Sequence, residues 1–148
     1  MAVSERTASV TLEGDIRVAS ASVQGNGRSF GELPSSLTER LDADNDKTSP
    51  EDLIVSAYAA DFAMTLASAL ASHGNQPERL DVTARCVLDR TPDGLAITRM
   101  ELDVKGLVPR MEAERFEEMA RKAEEKCLVS TAMHGNVEFE LSAALVSG

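Results

Sequence analysis

The chain has 148 residues, a length typical of one globular domain, and 43% of them are hydrophobic. Its formal charge of −10 at pH 7 disfavours nucleic acid and anionic membrane surfaces as partners, because both attract basic proteins. One Tyr, four Phe and no Trp are too few aromatic side chains for base stacking, and they predict an aliphatic core.

The cysteines and histidines exclude several kinds of site. Cys86 and Cys127 are too few for a disulfide framework. Together with His73 and His134 they do not form a zinc-binding pattern, so no metal is expected. No nucleotide or flavin motif occurs, so no cofactor is expected either. The N-terminal segment lacks the apolar stretch of a secretory signal, and we expect a cytoplasmic protein.

The first forty residues have the short alternating pattern of strands separated by polar turns, and an acidic loop follows them. The signals are, in order, alternation at Val10 and Leu12, a turn at 13–15, alternation at Ile16 and Val18, a turn at 24–27, a strand at 36–41 and an acidic loop at 42–47. This part of the chain therefore predicts strands joined by turns.

A long helix is predicted next. Ser49 can cap its N-terminus, Pro50 suits the first turn, and Glu51 complements the positive end of the helix dipole. The helix should run to about His73, with Gly74 as its stop.

This helix is apolar on every side, since Asp61 is the one charged residue between Leu53 and Ser72. Its length would permit a membrane span, but an Asp at mid-membrane costs about 2.5–3.5 kcal/mol and strands of soluble type flank the segment. We therefore predict a buried central helix. A second subunit is the natural source of cover for its remaining surface.

The second half predicts a hairpin, two helices and a last strand. The elements are a strand at 80–88, a turn at 91–94, a return strand that ends at Pro109, a helix at 112–126, a helical turn at 128–133 and a strand at 137–145. The inner face of the return strand should consist of Ala96, Thr98, Met100, Leu102 and Val104. The helix at 112–126 should bury Phe116, Met119, Ala120 and Ala123. The fold class is α+β, in a single domain over residues 1–148.

Asp61 is the most informative single residue. A lone carboxylate on a buried helix is costly unless it is paired, and such groups cluster at functional sites. The structural alternative, an Asp satisfied by an Arg or a backbone group at a subunit seam, is favoured on these grounds alone.

Glu51 lies about 15 Å away from Asp61 along the helix axis, so the two side chains cannot meet within one straight helix. By itself, Glu51 is best interpreted as a helix-dipole charge.

The remaining candidates have structural interpretations on their own. Cys86 lies on the apolar face of a strand and is expected to be an inert core residue. Cys127 precedes a helix start that would favour a thiolate, yet an incidental thiol remains the simpler interpretation. His73 and His134 lack a nucleophile at a diagnostic spacing, so no catalytic triad is predicted.

Two segments of the predicted helix, T-S-P-E-D-L-I at 48–54 and A-Y-A-A-D-F-A-M at 57–64, closely resemble the central helix of the OsmC/Ohr family. Further similarities lie at 12–16, 77–81, 96–98 and 127–130, so the resemblance covers nearly the whole chain. It implies an intertwined α+β homodimer with long central helices covered by antiparallel sheets.

The resemblance also implies a chemistry. Members of the family reduce organic hydroperoxides with a peroxidatic cysteine on the central helix, and a second cysteine resolves the sulfenic acid as a disulfide. By position, Cys127 matches the resolving cysteine and Glu51 matches a Glu that activates the thiolate. Arg40 is the best match for an activating Arg, with Arg28 and Arg17 as alternatives.

Asp61 occupies the position of the peroxidatic cysteine in this comparison, and a carboxylate cannot form a sulfenic acid. The leading hypothesis is a redox-independent enzyme acting on a small, partly apolar organic substrate at the dimer interface. Asp61 would be its base or nucleophile, Arg40 would hold negative charge, and Glu51 would set the proton balance. The alternatives are a non-catalytic small-molecule binder and a residual or inactivated hydroperoxide reductase that relies on Cys127.

Overall fold

A computed structural model describes residues 8–13, 20–25, 32–36 and 49–147. The chain divides into two compact units, Met1–Leu53 and Ile54–Gly148. Each unit is described by itself, and the single domain expected over residues 1–148 stays a prediction.

The first unit contains a three-stranded antiparallel sheet. Its strands are β1 (Ala8–Glu13), β2 (Ser20–Gly25) and β3 (Glu32–Ser36), in that spatial order. The strand predicted at Val10 and Leu12 is confirmed as β1. Ile16, Val18 and the acidic loop at 42–47 lie outside the described residues.

The strand predicted at 36–41 overlaps the described residues only at Ser36, the last residue of β3, which begins at Glu32. Residues 37–41 lie outside the described part of the chain, so that part of the prediction stays untested. Pro34 lies within β3, opposite Ser22 of β2. A proline cannot donate to a strand ladder, which is why the sequence pattern did not indicate a strand here.

The long helix α1 (Pro50–Ser72) has the predicted ends. The backbone N–H of Asp52 donates to Ser49 Oγ at 3.1 Å, and the Ser49 N–H donates to Asp52 Oδ2 at 2.7 Å. This reciprocal cap satisfies donors that the first helical turn leaves unpaired. Gly74 follows the helix with φ +81°, a conformation that glycine adopts without strain.

One face of α1 is fully buried at intervals of four residues, by Tyr58, Phe62, Leu66 and Leu70. Among the described residues, α1 is the one helix long and apolar enough to cross a membrane by length and composition. Its buried face instead belongs to the hydrophobic core of the second unit. On the opposite face of α1, Met64 is 65% exposed.

The second unit is built on strands β4 (Arg79–Thr91), β5 (Gly94–Leu107) and β6 (Glu138–Leu145), in that spatial order. The β4–β5 hairpin turns as predicted, with Gly94 at φ +119°. The expectation of purely antiparallel sheets is wrong here, because β6 pairs parallel to β5. Helices α2 (Ala113–Lys126) and α3 (Leu128–Met133) form the long connection that parallel neighbours require.

The predicted inner face of β5 is confirmed at Met100, Leu102 and Val104, which are buried. It is wrong at Ala96 and Thr98, since Ile97 packs against the core instead. The cause is an irregularity in the hairpin that no local signal predicted: Val87 pairs with Arg99 whereas Leu88 pairs with Ile97, so Thr98 is skipped and the alternation reverses. The Thr98 hydroxyl donates to the Asp89 carboxylate.

The predicted apolar face of α2 is confirmed in full, since Phe116, Met119, Ala120 and Ala123 are its buried residues. Phe116 packs directly over Gly106 of β5, where an added Cβ would lie 2.5 Å from the ring carbon Cζ. The close approach of α2 to the sheet therefore depends on the absence of a side chain at this position.

We expect Gly106→Ala to lower the free energy of unfolding by about 1–3 kcal/mol, because the added Cβ would clash with the fully buried Phe116 ring. Urea denaturation of the two proteins measures this difference. The double variant Gly106→Ala/Phe116→Leu should recover part of the loss. An unchanged denaturation midpoint in the single variant would contradict the tight packing.

Candidate functional site

Two residues singled out from the sequence meet where α1 passes the junction between α2 and α3. The Cys127 thiol donates a hydrogen bond to Asp61 Oδ2, with an Sγ–Oδ2 distance of 2.9 Å. The backbone N–H of Val129 donates to the same oxygen at 3.2 Å. Asp61 is half-buried and Cys127 is completely buried. The two donors fix the orientation of the carboxylate on an otherwise apolar helix.

The local sequence explains why this junction presents donors. Cys127 ends α2 in an extended conformation (φ −59°, ψ 125°) and acts as the N-cap residue of α3. The first N–H groups of a helix have no partner within it, so the Val129 N–H is free to donate to Asp61. The Ser130 hydroxyl donates to the Glu124 carbonyl at 2.7 Å and thereby ties α3 to the last turn of α2.

Burial raises the pKa of the Cys127 thiol, and its hydrogen bond to the Asp61 carboxylate raises it further. The thiol therefore stays protonated at neutral pH, which agrees with its role as a hydrogen-bond donor. The predicted tendency towards a thiolate at this helix start is outweighed by burial and by the carboxylate.

Sequence analysis missed a second contact between the same helices. The Tyr58 hydroxyl donates to Glu124 Oε1 at 3.3 Å. Burial, followed by the charge of Glu124, raises the pKa of Tyr58, so its hydroxyl stays protonated. One available signal was that Tyr58 is the only tyrosine of the chain and lies three residues before Asp61.

Of the other predicted site residues, only Glu51 lies in the described part of the chain. Glu51 is 9% exposed and lies at the start of α1, in the first compact unit. Arg40, Arg28 and Arg17 lie outside the described residues. Within the described ranges, the ion pairs formed by Arg and Lys side chains do not include Asp61.

The remaining cysteine and both histidines have structural surroundings. Cys86 is partly buried against the core, opposite Met100, as predicted. His73 Nδ1 lies 2.8 Å from the carbonyl of Ala69 at the end of α1. The His134 ring lies 5.2 Å from that of Phe139. The part of the chain that the structure describes contains no cluster of three or more metal-ligating side chains.

Comparison with known proteins confirms the family indicated by the sequence motifs. A family model for OsmC-like proteins matches residues 43–142. Over 128 residues the chain is 31% identical to Peroxiredoxin OsmC of Escherichia coli strain K12, which covers 86% of this chain and 89% of that protein. The chain therefore belongs to the OsmC-like family.

Solved structures confirm the α+β fold. An organic hydroperoxide resistance protein OsmC from Legionella pneumophila matches with a TM-score of 0.79 at 23% identity, over 97% of this chain and 99% of that one. The organic hydroperoxide resistance protein OhrB of Bacillus subtilis matches with a TM-score of 0.72 at 22% identity, over 93% and 97% of the two chains.

The raised pKa of Cys127 predicts a loss of stability in alkaline solution. An unfolded thiol ionises near pH 8.5, roughly the ordinary cysteine value, whereas the folded thiol resists ionisation. Its stabilising contribution is therefore complete below that pH and is lost as the pH rises through the folded-state pKa. Chemical denaturation under reducing conditions, at about pH 7 and pH 10, should show a smaller loss in Cys127→Ser than in the unmodified protein. Equal losses would contradict the assigned environment of the thiol.

Proposed function

We propose that this OsmC-like protein is a redox-independent acid–base enzyme, in which Asp61 replaces the peroxidatic cysteine of the family and acts as a general base. The supporting observation is the carboxylate held at Oδ2 by Cys127 and Val129, at 2.9 and 3.2 Å. A fixed carboxylate at the edge of an apolar helix is suited to accept a proton from a small, partly apolar organic substrate.

The state of the thiols favours this chemistry over peroxide reduction. A hydroperoxide reductase needs an accessible thiolate to attack the peroxide oxygen. Cys127 is completely buried, has a raised pKa, and donates a hydrogen bond to Asp61. Cys127 therefore lacks the accessibility and the ready ionisation that the peroxidatic role requires. Cys86 is partly buried against the core.

The proposed step is a proton transfer without a change of oxidation state. A C–H or O–H bond of the substrate breaks, its proton passes to the Asp61 carboxylate, and the bonding pair remains on the substrate, where it expels a leaving group or forms a stabilised anion. Glu51 would set the proton balance and Arg40 would hold the developing negative charge, roles that rest on the family resemblance. The cytoplasmic location and the absence of a cofactor also stay predictions.

We expect the unmodified protein to catalyse the ring opening of 5-nitrobenzisoxazole, a small apolar probe that requires only a positioned base. The base takes the proton from carbon, the electron pair forms a nitrile and the N–O bond breaks. Asp61→Asn keeps the size of the side chain and an acceptor oxygen but removes the base. Its reaction rate, measured from the absorbance of the phenolate product, should be at least about 100-fold lower.

The matched control is Asp103→Asn, the same chemical change at an exposed position of β5, which should retain the rate of the unmodified protein. Equal rates for the unmodified protein and Asp61→Asn would contradict the proposed base.

We also propose that the protein is a homodimer whose second copy covers the outer face of α1. Ala57, Ala60, Met64 and Ser68 are exposed and follow one another at helical spacing. Small side chains around one large apolar residue allow another helix to approach closely. Burial of Met64, which is 65% exposed in the single chain, would supply part of the hydrophobic driving force.

Met64→Lys should raise the dissociation constant of the dimer by about 100-fold or more, because an unpaired ammonium would be buried at the interface. Sedimentation equilibrium measures the change. Leu95→Lys is the control, since Leu95 is another exposed apolar residue, 47% exposed at the tip of the β4–β5 hairpin. A monomeric unmodified protein, or equal effects of the two substitutions, would contradict this interface.

A further inference from the structure

Two contacts join α1 to α2 and the α2–α3 junction in the same register. Tyr58 contacts Glu124, and three residues further along both segments Asp61 contacts Cys127. Each pair is separated by 66 positions in the chain. Three residues are close to one helical turn, so the Tyr58–Glu124 contact lies directly beside the Asp61–Cys127 contact.

The Tyr58 side chain is held from several sides. It is completely buried, and its ring meets the edge of the Phe139 ring at a centroid distance of 5.6 Å and an interplanar angle of 70°. Its hydroxyl is therefore directed at Glu124 by packing with β6 rather than by free rotation. Because burial keeps this hydroxyl protonated, it remains a hydrogen-bond donor.

Glu124 is held at two points. Its carboxylate accepts from Tyr58 on α1, and its backbone carbonyl accepts from the Ser130 hydroxyl on α3 at 2.7 Å. Ser130 Oγ also lies 3.3 Å from the carbonyl oxygen of Cys127. These bonds connect α1, the end of α2 and the start of α3, which are the segments that carry Asp61 and its two donors.

We propose that Tyr58 and Glu124 are positioning residues that fix the α2–α3 junction against α1, so that the Cys127 thiol and the Val129 N–H point at Asp61. The catalytic part of this inference rests on the proposed acid–base function. Loss of the Tyr58–Glu124 bond loosens the donors and lets the carboxylate rotate. A small misplacement of a reacting group is enough to slow a reaction substantially.

The test uses Tyr58→Phe, which keeps the aromatic ring and its packing and removes only the hydroxyl. Infrared spectroscopy of the S–H stretch reports the hydrogen bond of Cys127 directly, and the Cys86→Ser background removes the other thiol. We expect Tyr58→Phe to move the band to higher frequency, towards that of a free thiol. The kcat for 5-nitrobenzisoxazole should fall about 10-fold with KM unchanged.

Two variants at Glu124 complete the experiment. Glu124→Gln keeps an acceptor oxygen for Tyr58 and should preserve both the band and kcat, whereas Glu124→Ala should behave like Tyr58→Phe. An unchanged band in Tyr58→Phe, or a Gln variant as impaired as the Ala variant, would overturn the positioning role. If the unmodified protein lacks elimination activity, the acid–base function fails, and the S–H band alone then decides whether Tyr58 and Glu124 position the thiol.

Discussion

The hydrogen bonds that Asp61 accepts from Cys127 and Val129 are the interaction on which the organisation of the second unit depends. A half-buried carboxylate on an apolar helix is costly unless donors reach it. The thiol and the unpaired N–H group at the start of α3 supply them. The same contact joins α1 to the α2–α3 junction and, together with the larger effect of burial, raises the pKa of the thiol.

The surrounding fold brings these segments together in three ways. The face of α1 formed by Tyr58, Phe62, Leu66 and Leu70 belongs to the same core as β5 and α2. Gly106 lets Phe116 of α2 lie directly on the sheet. The parallel pairing of β6 with β5 requires a long crossover, and the two donors to Asp61, Cys127 and Val129, lie at the turn within that crossover, between α2 and α3. Donors on such a turn are held by regular elements on both sides.

Sequence patterns predicted the features that depend on local chemistry. The cap at Ser49, the stop at Gly74 and the buried stripe of α2 follow from nearby residues, and all three are present. The skipped residue Thr98 and the parallel course of β6 depend on pairing between distant segments, which local alternation does not encode.

The same distinction applies to the candidate site. Asp61 was conspicuous because it is the single charge on an apolar helix, and Cys127 because of its place before a helix. Their contact was implied only by the family resemblance. The Tyr58–Glu124 contact was missed because the partners are 66 positions apart, each on a helix where it has an ordinary structural explanation. The role of Arg40 stays a prediction, since it lies outside the described residues.

The central claim is that Asp61 stands where other members of the family have a peroxidatic cysteine, so that the protein does not reduce hydroperoxides through a thiol. Its most direct test is the consumption of cumene hydroperoxide in the presence of excess dithiol, by the unmodified protein, by Asp61→Cys and by Asp61→Cys/Cys127→Ser. We predict no turnover by the unmodified protein and restored turnover in Asp61→Cys, whose new thiol would stand beside Cys127 and could form a disulfide with it after small adjustments. The double variant should not form that disulfide. Thiol-dependent turnover of the hydroperoxide by the unmodified protein would contradict the claim, because one of its two cysteines would then be peroxidatic.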